Sequence, residues 1–174
     1  MSQINIHSYS SDWPSHFDRV KVDLLAIFFD RHVQIEHIGS TSVPGLAAKP
    51  IIDVLLGADS LPVIELKTPK LQARGYQYIA RYETDLPMRR YFFKPEEPGL
   101  LRVNLHAVVL RSTFWLEHIA FRDALRSSAS VLADYSSLKS ELAARHPDDM
   151  PAYTAAKTPF IRSTLTSLEQ KDGR

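Results

Sequence analysis

The apolar run PIIDVLLG, at residues 50–57, constrains the fold of this chain more than any other segment. Side chains alternate between the two faces of a β-strand, and here both faces are apolar except at Asp53. Such a strand belongs in the middle of a sheet that is covered on both sides. An unpaired carboxylate among apolar neighbours is costly, so we expect Asp53 to contact a cation, a metal ion or several hydrogen-bond donors.

The segments around this strand predict a small mixed β-sheet flanked by helices, followed by a helical C-terminal third. The predicted strands are 33–38, 50–57, 76–80, 89–94 and 101–110, and helices are predicted at about 12–31, at 61–74 and in three segments after Ser112. We therefore predict a single α/β (α+β) domain over residues 1–174. Residues 1–110 would form the helix and sheet core, and residues 111–170 the C-terminal helices.

Composition excludes several classes of protein. The chain has 174 residues and no cysteine, which excludes disulfides and thiolate chemistry and fits a reducing cytoplasm. Lys plus Arg is 21 and Asp plus Glu is 20, a net charge of +1, so no extended nucleic-acid surface is expected. Its longest apolar runs fall short of the ~20 residues that span a membrane. We predict a cytoplasmic protein without membrane contact, and the oligomeric state is left open.

The loop before the central strand carries a candidate phosphate site. Gly39 can adopt backbone angles closed to other residues, and Ser40, Thr41 and Ser42 offer hydroxyl and backbone N–H groups in a short arc. Such an arc at the end of a strand can hold phosphate oxygens. In the alternative interpretation, Asp53 accepts hydrogen bonds from this loop and only holds the turn.

Further polar side chains share faces of the later predicted strands. Arg102, Asn104 and His106 alternate with apolar residues on one strand, and Arg90 shares a face with Lys94 on another. Facing Asp53, they would form a pocket for a phosphorylated small molecule, because Arg binds phosphate with two parallel hydrogen bonds. Alternatively, Arg90 and Lys94 lie on a solvated sheet edge.

Two other residues leave alternatives open in the same way. His106 is a ligand, a general base or a core histidine with satisfied hydrogen bonds. Lys49, just before the central strand, reaches the phosphate site or caps exposed backbone.

Several blocks of the sequence resemble the GrpB family, which is assigned to the nucleotidyltransferase superfamily that includes DNA polymerase beta. The strongest block is HIGSTSVPGLAAKPIID, at residues 37–53. The later blocks are RRYFFK, NLHAVV, FWLEHIAFRDALR and YSSLKSELAARHPDDMPAYTAAKTPFI. The resemblance covers roughly residues 9–165 and implies a nucleotidyltransferase-like fold.

The resemblance also implies roles for individual residues. Gly39 and Ser40 match the Gly-Ser pair that binds triphosphate, and Asp53 matches the first carboxylate that binds Mg²⁺. The second carboxylate position is Leu55, and the later strand offers Asn104 and His106 in place of an acid. Two-metal chemistry needs several carboxylates, so this departure puts nucleotidyl transfer in doubt.

The C-terminal helices of superfamily members often supply a residue for base stacking and a lysine for phosphate binding. Tyr153 and Lys157 are one helical turn apart, which makes Lys157 the candidate lysine.

The sequence therefore predicts a site that binds a nucleotide or a phosphorylated metabolite with Mg²⁺, and if the protein is an enzyme, transfer of a nucleotidyl or phosphoryl group is the expected reaction. Asp53 and His106 are the candidate catalytic residues, and Asp53 is the candidate metal ligand. The alternative is a catalytically inactive binding module or a partner protein, which the apolar Leu55 favours. GrpB-like domains also occur fused to dephospho-coenzyme A kinase, which associates the family with coenzyme or nucleotide metabolism.

Overall fold

A computed structural model describes residues 6–172 of the chain. The strands are β1 (Val33–Ile38), β2 (Ile51–Ala58), β3 (Gln77–Tyr78), β4 (Arg89–Lys94) and β5 (Arg102–Val109). The α-helices are α1 (Trp13–Ile27), α2 (Leu61–Ala73), α3 (Thr113–Ser127), α4 (Ala129–Arg145), α5 (Met150–Ala156) and α6 (Thr158–Asp172). Short 3₁₀ turns at Ser40–Ser42 and Ala80–Glu83 follow β1 and β3.

The five strands form one mixed sheet in the order β1-β2-β5-β4-β3. β2 runs antiparallel to β1 and parallel to β5, and β4 runs antiparallel to both β5 and β3. The predicted mixed α/β fold with an interior central strand is therefore confirmed. The parallel register places Asp53 opposite Asn104 and Leu55 opposite His106.

Two predicted elements exceed the observed ones by three or more residues. The first helix ends at Ile27 and not at residue 31. Phe28 is buried although it belongs to the turn after the helix, so the apolar pattern in the sequence continues beyond the helix end. β3 has two paired residues instead of five. It is an edge strand, and Ile79 donates one further backbone hydrogen bond to Tyr91 before the chain turns.

The two faces of the sheet are covered differently. Helices α1 and α2 pack on the face that carries Ile52, Val54 and Leu56, and these form the main core. The opposite face carries Asp53, Leu55 and Gly57 and receives α3. Gly57 allows a close approach there, because a Cβ at this position would lie 2.7 Å from the ring of Trp115.

The C-terminal helices pack behind α3. Both α4 and α6 contact α3, and α5 contacts α4 and α6. The hydroxyls of Ser112 and Ser128 accept hydrogen bonds from Trp115 N and Val131 N, which caps α3 and α4 at their N-termini. Within residues 6–172, every helix is too short or too polar to cross a lipid bilayer.

Candidate functional site

A cavity of about 290 Å³ lies between the sheet and the C-terminal helices. We refer to it as the sheet–helix cavity. Its polar and glycine lining residues are Gly39, Ser40, Asp53, His106, Glu117, His118, Arg122 and Lys157, and its apolar lining includes Ile38, Phe121, Leu125, Ile161 and Leu165. The loop after β1, the strands β1, β2 and β5, and the C-terminal helices thus all contribute to one site.

Gly39 and Asp53 are in direct contact at the floor of the cavity. Gly39 has φ 70°, and a Cβ placed there would overlap the Oδ2 atom of Asp53. Both the backbone angle and the missing side chain therefore require glycine. Any other residue at this position would displace the carboxylate.

Asn104 fixes the orientation of the Asp53 carboxylate. Its Nδ2 donates to Asp53 Oδ1 at 2.8 Å. Its own Oδ1 accepts from the Tyr91 hydroxyl at 2.9 Å and from Arg102 Nε at 3.2 Å. These two donors set the amide so that its NH₂ group points at the carboxylate. Asn104 acts as a donor at a position where the superfamily has an acid.

Burial raises the pKa of Asp53 from 3.8 to about 6. Four favourable interactions oppose this effect: the hydrogen bond from Asn104 and the positive charges of Lys157, Arg102 and Lys139. The carboxylate accepts one side-chain hydrogen bond, opens onto a cavity and is surrounded by cations. Asp53 therefore faces the cavity, and its role in binding or catalysis stays a prediction.

Only one of the three loop hydroxyls lines the cavity. The Thr41 hydroxyl is buried and donates to the Ile51 carbonyl at 2.9 Å. His37 Nε2 lies 3.1 Å from Thr41 Oγ1. The Ser42 hydroxyl donates to the Gly39 carbonyl at 2.6 Å. Contrary to the prediction, these two side chains hold the loop in shape, and Ser40 alone presents its hydroxyl to the site.

Lys139, on α4, does not line the cavity but contacts the lining residue Ser40, and the sequence reasoning missed it. Its side chain is 4% exposed, and its Nζ donates to Ser40 Oγ at 2.9 Å and to the Ala47 carbonyl at 2.5 Å. Its pKa is lowered to about 8, mainly by burial and in part by the charge of Lys157, while the charge of Asp53 opposes the shift. The signal was readable, because Lys139 follows buried Tyr135 by four residues and precedes buried Leu142 by three on α4.

Lys157 lies in the cavity wall, as its helical spacing from Tyr153 predicted. Its Nζ lies 4.5 Å from the centroid of the Tyr153 ring. Burial lowers the pKa of Lys157, Asp53 raises it, and nearby Lys49 lowers it. Lys49 itself contacts Met150 Sδ at 3.8 Å and does not line the cavity.

Arg102 and Arg90 lie on opposite faces of the sheet. Arg102 donates to Asn104 and covers the Phe93 ring at 4.9 Å, on the Asp53 face. Arg90 pairs with Glu65 of α2 at 2.7 Å and with Glu83 at 3.2 Å. The prediction that Arg90 joins the site is wrong, because the pairing of β4 with β5 turns its side chain to the α2 side.

His106 lines the cavity and is held by a second missed residue, Arg89. Arg89 Nη1 lies 3.1 Å from His106 Nδ1. A guanidinium group only donates, so Nδ1 accepts and the neutral ring carries its hydrogen on Nε2. Burial, together with the smaller effects of the Arg89 and His118 charges, lowers the pKa of His106 to about 3. His106 is therefore neutral at physiological pH and a weak base.

The donor set does not fit a two-metal centre. Leu55, at the second carboxylate position, is fully buried against Ile38, Val108 and Trp115. Within residues 6–172 there is no group of three or more His, Cys, Asp or Glu side chains able to hold a metal ion. Glu36, an acid of β1, is engaged in an ion pair with Arg122. Magnesium at Asp53 stays a prediction from the family resemblance.

The mixed sheet, its flanking helices and the loop that faces Asp53 define a nucleotidyltransferase-like fold. A structure of the Cid1 poly(U) polymerase bound to MgATP is similar with a TM-score of 0.57 and 12% identity, over 87% of this chain and 50% of that one. At this identity the similarity concerns the fold alone.

The GrpB protein family matches residues 3–167, and the chain belongs to this family. The glutamate-rich protein GrpB of Alkalihalophilus pseudofirmus is 33% identical over 169 residues, which is 95% of this chain and 96% of the relative. The crystal structure of the conserved protein GrpB from Enterococcus faecalis has a TM-score of 0.83 and 32% identity, over 98% of this chain and 100% of that one.

Proposed function

We propose that the sheet–helix cavity binds a nucleotide or another phosphorylated small molecule. The observation that carries this proposal is that Ser40, Asp53 and Lys157 line the cavity, while the Lys139 ammonium group donates to Ser40 Oγ at 2.9 Å and its charge acts on Asp53. Hydroxyl and ammonium donors are suited to phosphate oxygens. The cavity volume approaches the lower end of the ~300–1,000 Å³ range of small-molecule pockets. A ligand of this class fits the cytoplasmic location predicted from the sequence.

A thermal-shift screen of nucleotides and coenzyme A precursors, with and without Mg²⁺, tests the proposal. A ligand at a hundredfold excess over its Kd stabilises the folded protein by about 2.7 kcal/mol, a rise in Tm of roughly 5 °C or more for a chain of this size. The Ser40→Ala variant is expected to reduce the shift. Ser140→Ala is the matched control, because that hydroxyl lies on an exposed face of α4 and donates to the Ser136 carbonyl. If no phosphorylated compound shifts the Tm, the partner-protein alternative is favoured.

Nucleotidyl or phosphoryl transfer is the second candidate, and the similarity of the fold to Cid1 favours it. Asp53 and His106 would then be the catalytic residues. The buried Leu55 and the low pKa of His106 favour binding without turnover, because neither supplies a metal ligand or an efficient base at neutral pH. Incubation with radiolabelled nucleotide and analysis of the products distinguishes the two candidates. A labelled product that disappears in Asp53→Asn would establish transfer.

A further inference from the structure

We propose that the ammonium groups of Lys157, which lines the cavity, and of Lys139, which donates to Ser40, supply the positive charge that neutralises the phosphate groups of the ligand, so that this site binds phosphorylated ligands without a divalent metal ion. The inference rests on the proposed function and concerns how the same cavity neutralises its ligand. It opposes the magnesium prediction that came from the family resemblance.

Lys139 is a buried cation held by neutral groups. Its acceptors are the Ser40 hydroxyl and the Ala47 carbonyl, and among the side chains described at residues 6–170 no carboxylate lies within 4.0 Å of its Nζ. An ammonium group has three N–H donors, so two acceptors leave one donor for a ligand. Burying a charge without a counter-charge is unfavourable, and an anion bound beside Ser40 would remove that penalty.

Lys157 presents a second ammonium group to the same space. It lines the cavity, and in the described part of the chain its Nζ has a Tyr153 ring beneath it but neither a hydrogen-bond acceptor nor an ion-pair partner. The charge of Lys157 also lowers the pKa of Lys139, which stands next to Ser40 in the cavity wall. Two like charges at one side of a cavity favour a ligand with more than one negative charge.

At the positions where the superfamily resemblance implies metal-binding acids, this chain has side chains that do not bind a metal ion. Leu55 is apolar and sealed, and Asn104 uses its amide to donate to Asp53. A divalent ion beside Asp53 would be repelled by Lys139, Lys157 and Arg102, whose charges all act on this carboxylate. Positive charge is therefore built into the chain at the place where a metal ion would otherwise supply it.

Isothermal titration of the full chain with ATP and with inorganic tripolyphosphate tests this inference. Each probe is titrated once in buffer with EDTA and once with excess MgCl₂. The variants are Lys139→Met and Lys157→Met, which keep the length of the side chain. The matched control is Lys70→Met, because Lys70 is exposed on α2, on the opposite side of the sheet. Lys157 is only partly buried, so its variant tests the charge even if Lys139→Met unfolds.

We expect binding in EDTA, with each site variant weakened about tenfold or more and Lys70→Met unchanged. Binding that requires MgCl₂ overturns this inference and leaves the proposed function in place. Unchanged affinity in both folded site variants also overturns it. Absence of binding in both buffers overturns the proposed function together with the inference.

Discussion

Gly39 lies so close to Asp53 that a Cβ at residue 39 would overlap the carboxylate. Because residue 39 has no side chain, the loop that carries the Ser40 hydroxyl can lie directly against the strand that carries Asp53. Within residues 6–172, Asp53 is the only acid that the sheet contributes to the cavity lining. This contact thus connects the local conformation of the loop to the position of that acid.

Gly39→Ala is expected to destabilise the protein and displace Asp53. Alanine at a positive φ costs about 1–2 kcal/mol, and the overlap with the carboxylate adds about 1 kcal/mol or more. Gly45→Ala is the control, because Gly45 has φ 79° and a Cβ added there would have no atom within 4 Å. Urea unfolding measures both losses, and equal losses would show that the contact with Asp53 carries no energy.

Asp53→Asn is expected to stabilise the protein at pH 8. The folded state raises the pKa of Asp53 from 3.8 to about 6. The protonated carboxyl group therefore contributes stability below about pH 4, and this contribution is lost as the pH rises through about 6. Asparagine does not ionise and avoids this loss. The free energy of unfolding of Asp53→Asn should therefore exceed that of the wild type by about 1–3 kcal/mol at pH 8, and the difference should shrink towards pH 4. Thermal and urea unfolding at both pH values measure it, with the exposed Asp18→Asn on α1 as control. A gain that is the same at pH 4 and pH 8 would contradict this account.

Lys139 is expected to make stability rise with pH in the alkaline range. Its folded pKa is about 8, below its ordinary value of 10.5, because of burial and the charge of Lys157, with Asp53 opposing. The unfolded chain therefore binds more protons between these values, and stability increases with pH. From pH 8 to pH 10 the wild type should gain about 1–2 kcal/mol relative to Lys139→Met. Urea unfolding across this range tests the sign, and parallel curves for the two proteins would refute it.

Arg90 and Arg102 are expected to differ in their effect on ligand binding. Arg90→Met breaks ion pairs on the α2 side of the sheet and should lower stability by about 1 kcal/mol while leaving affinity unchanged. Arg102→Met removes a donor to Asn104 and should weaken the binding of any hit from the nucleotide screen. Titration of that hit measures both affinities. A weaker Kd in Arg90→Met would place that residue back in the site.

Local pattern was sufficient to predict the central strand and the loop before it, whereas Lys157 was proposed from the resemblance to the superfamily. Alternation along a strand shows which residues share a face, but it does not show which face that is. The register of β4 against β5 decides this, and it pairs Phe93 with Asn104, so Arg90 turns away. The length and conformation of the connection at residues 95–101 set that register. The sequence reasoning did not derive the conformation of this connection, and it therefore placed Arg90 wrongly.

The loop and α4 illustrate a second limit of sequence reasoning. Three neighbouring hydroxyls are equivalent by composition, yet Thr41 and Ser42 are engaged with backbone carbonyls and Ser40 is not. Only the folded path of the turn separates them. Lys139 is different, because a lysine at helical spacing from apolar residues is visible in the sequence. It was missed because the apolar stripe was interpreted as core alone.

The acid of this site comes from the sheet, whereas Lys139 and Lys157 come from the segment after residue 128. A molecule bound between Asp53 and the two lysines would therefore connect the segment after residue 128 to the sheet. Limited proteolysis should cut the connection at residues 146–149 more slowly once the cavity is filled, so protease resistance would report occupancy without any knowledge of the chemistry that follows.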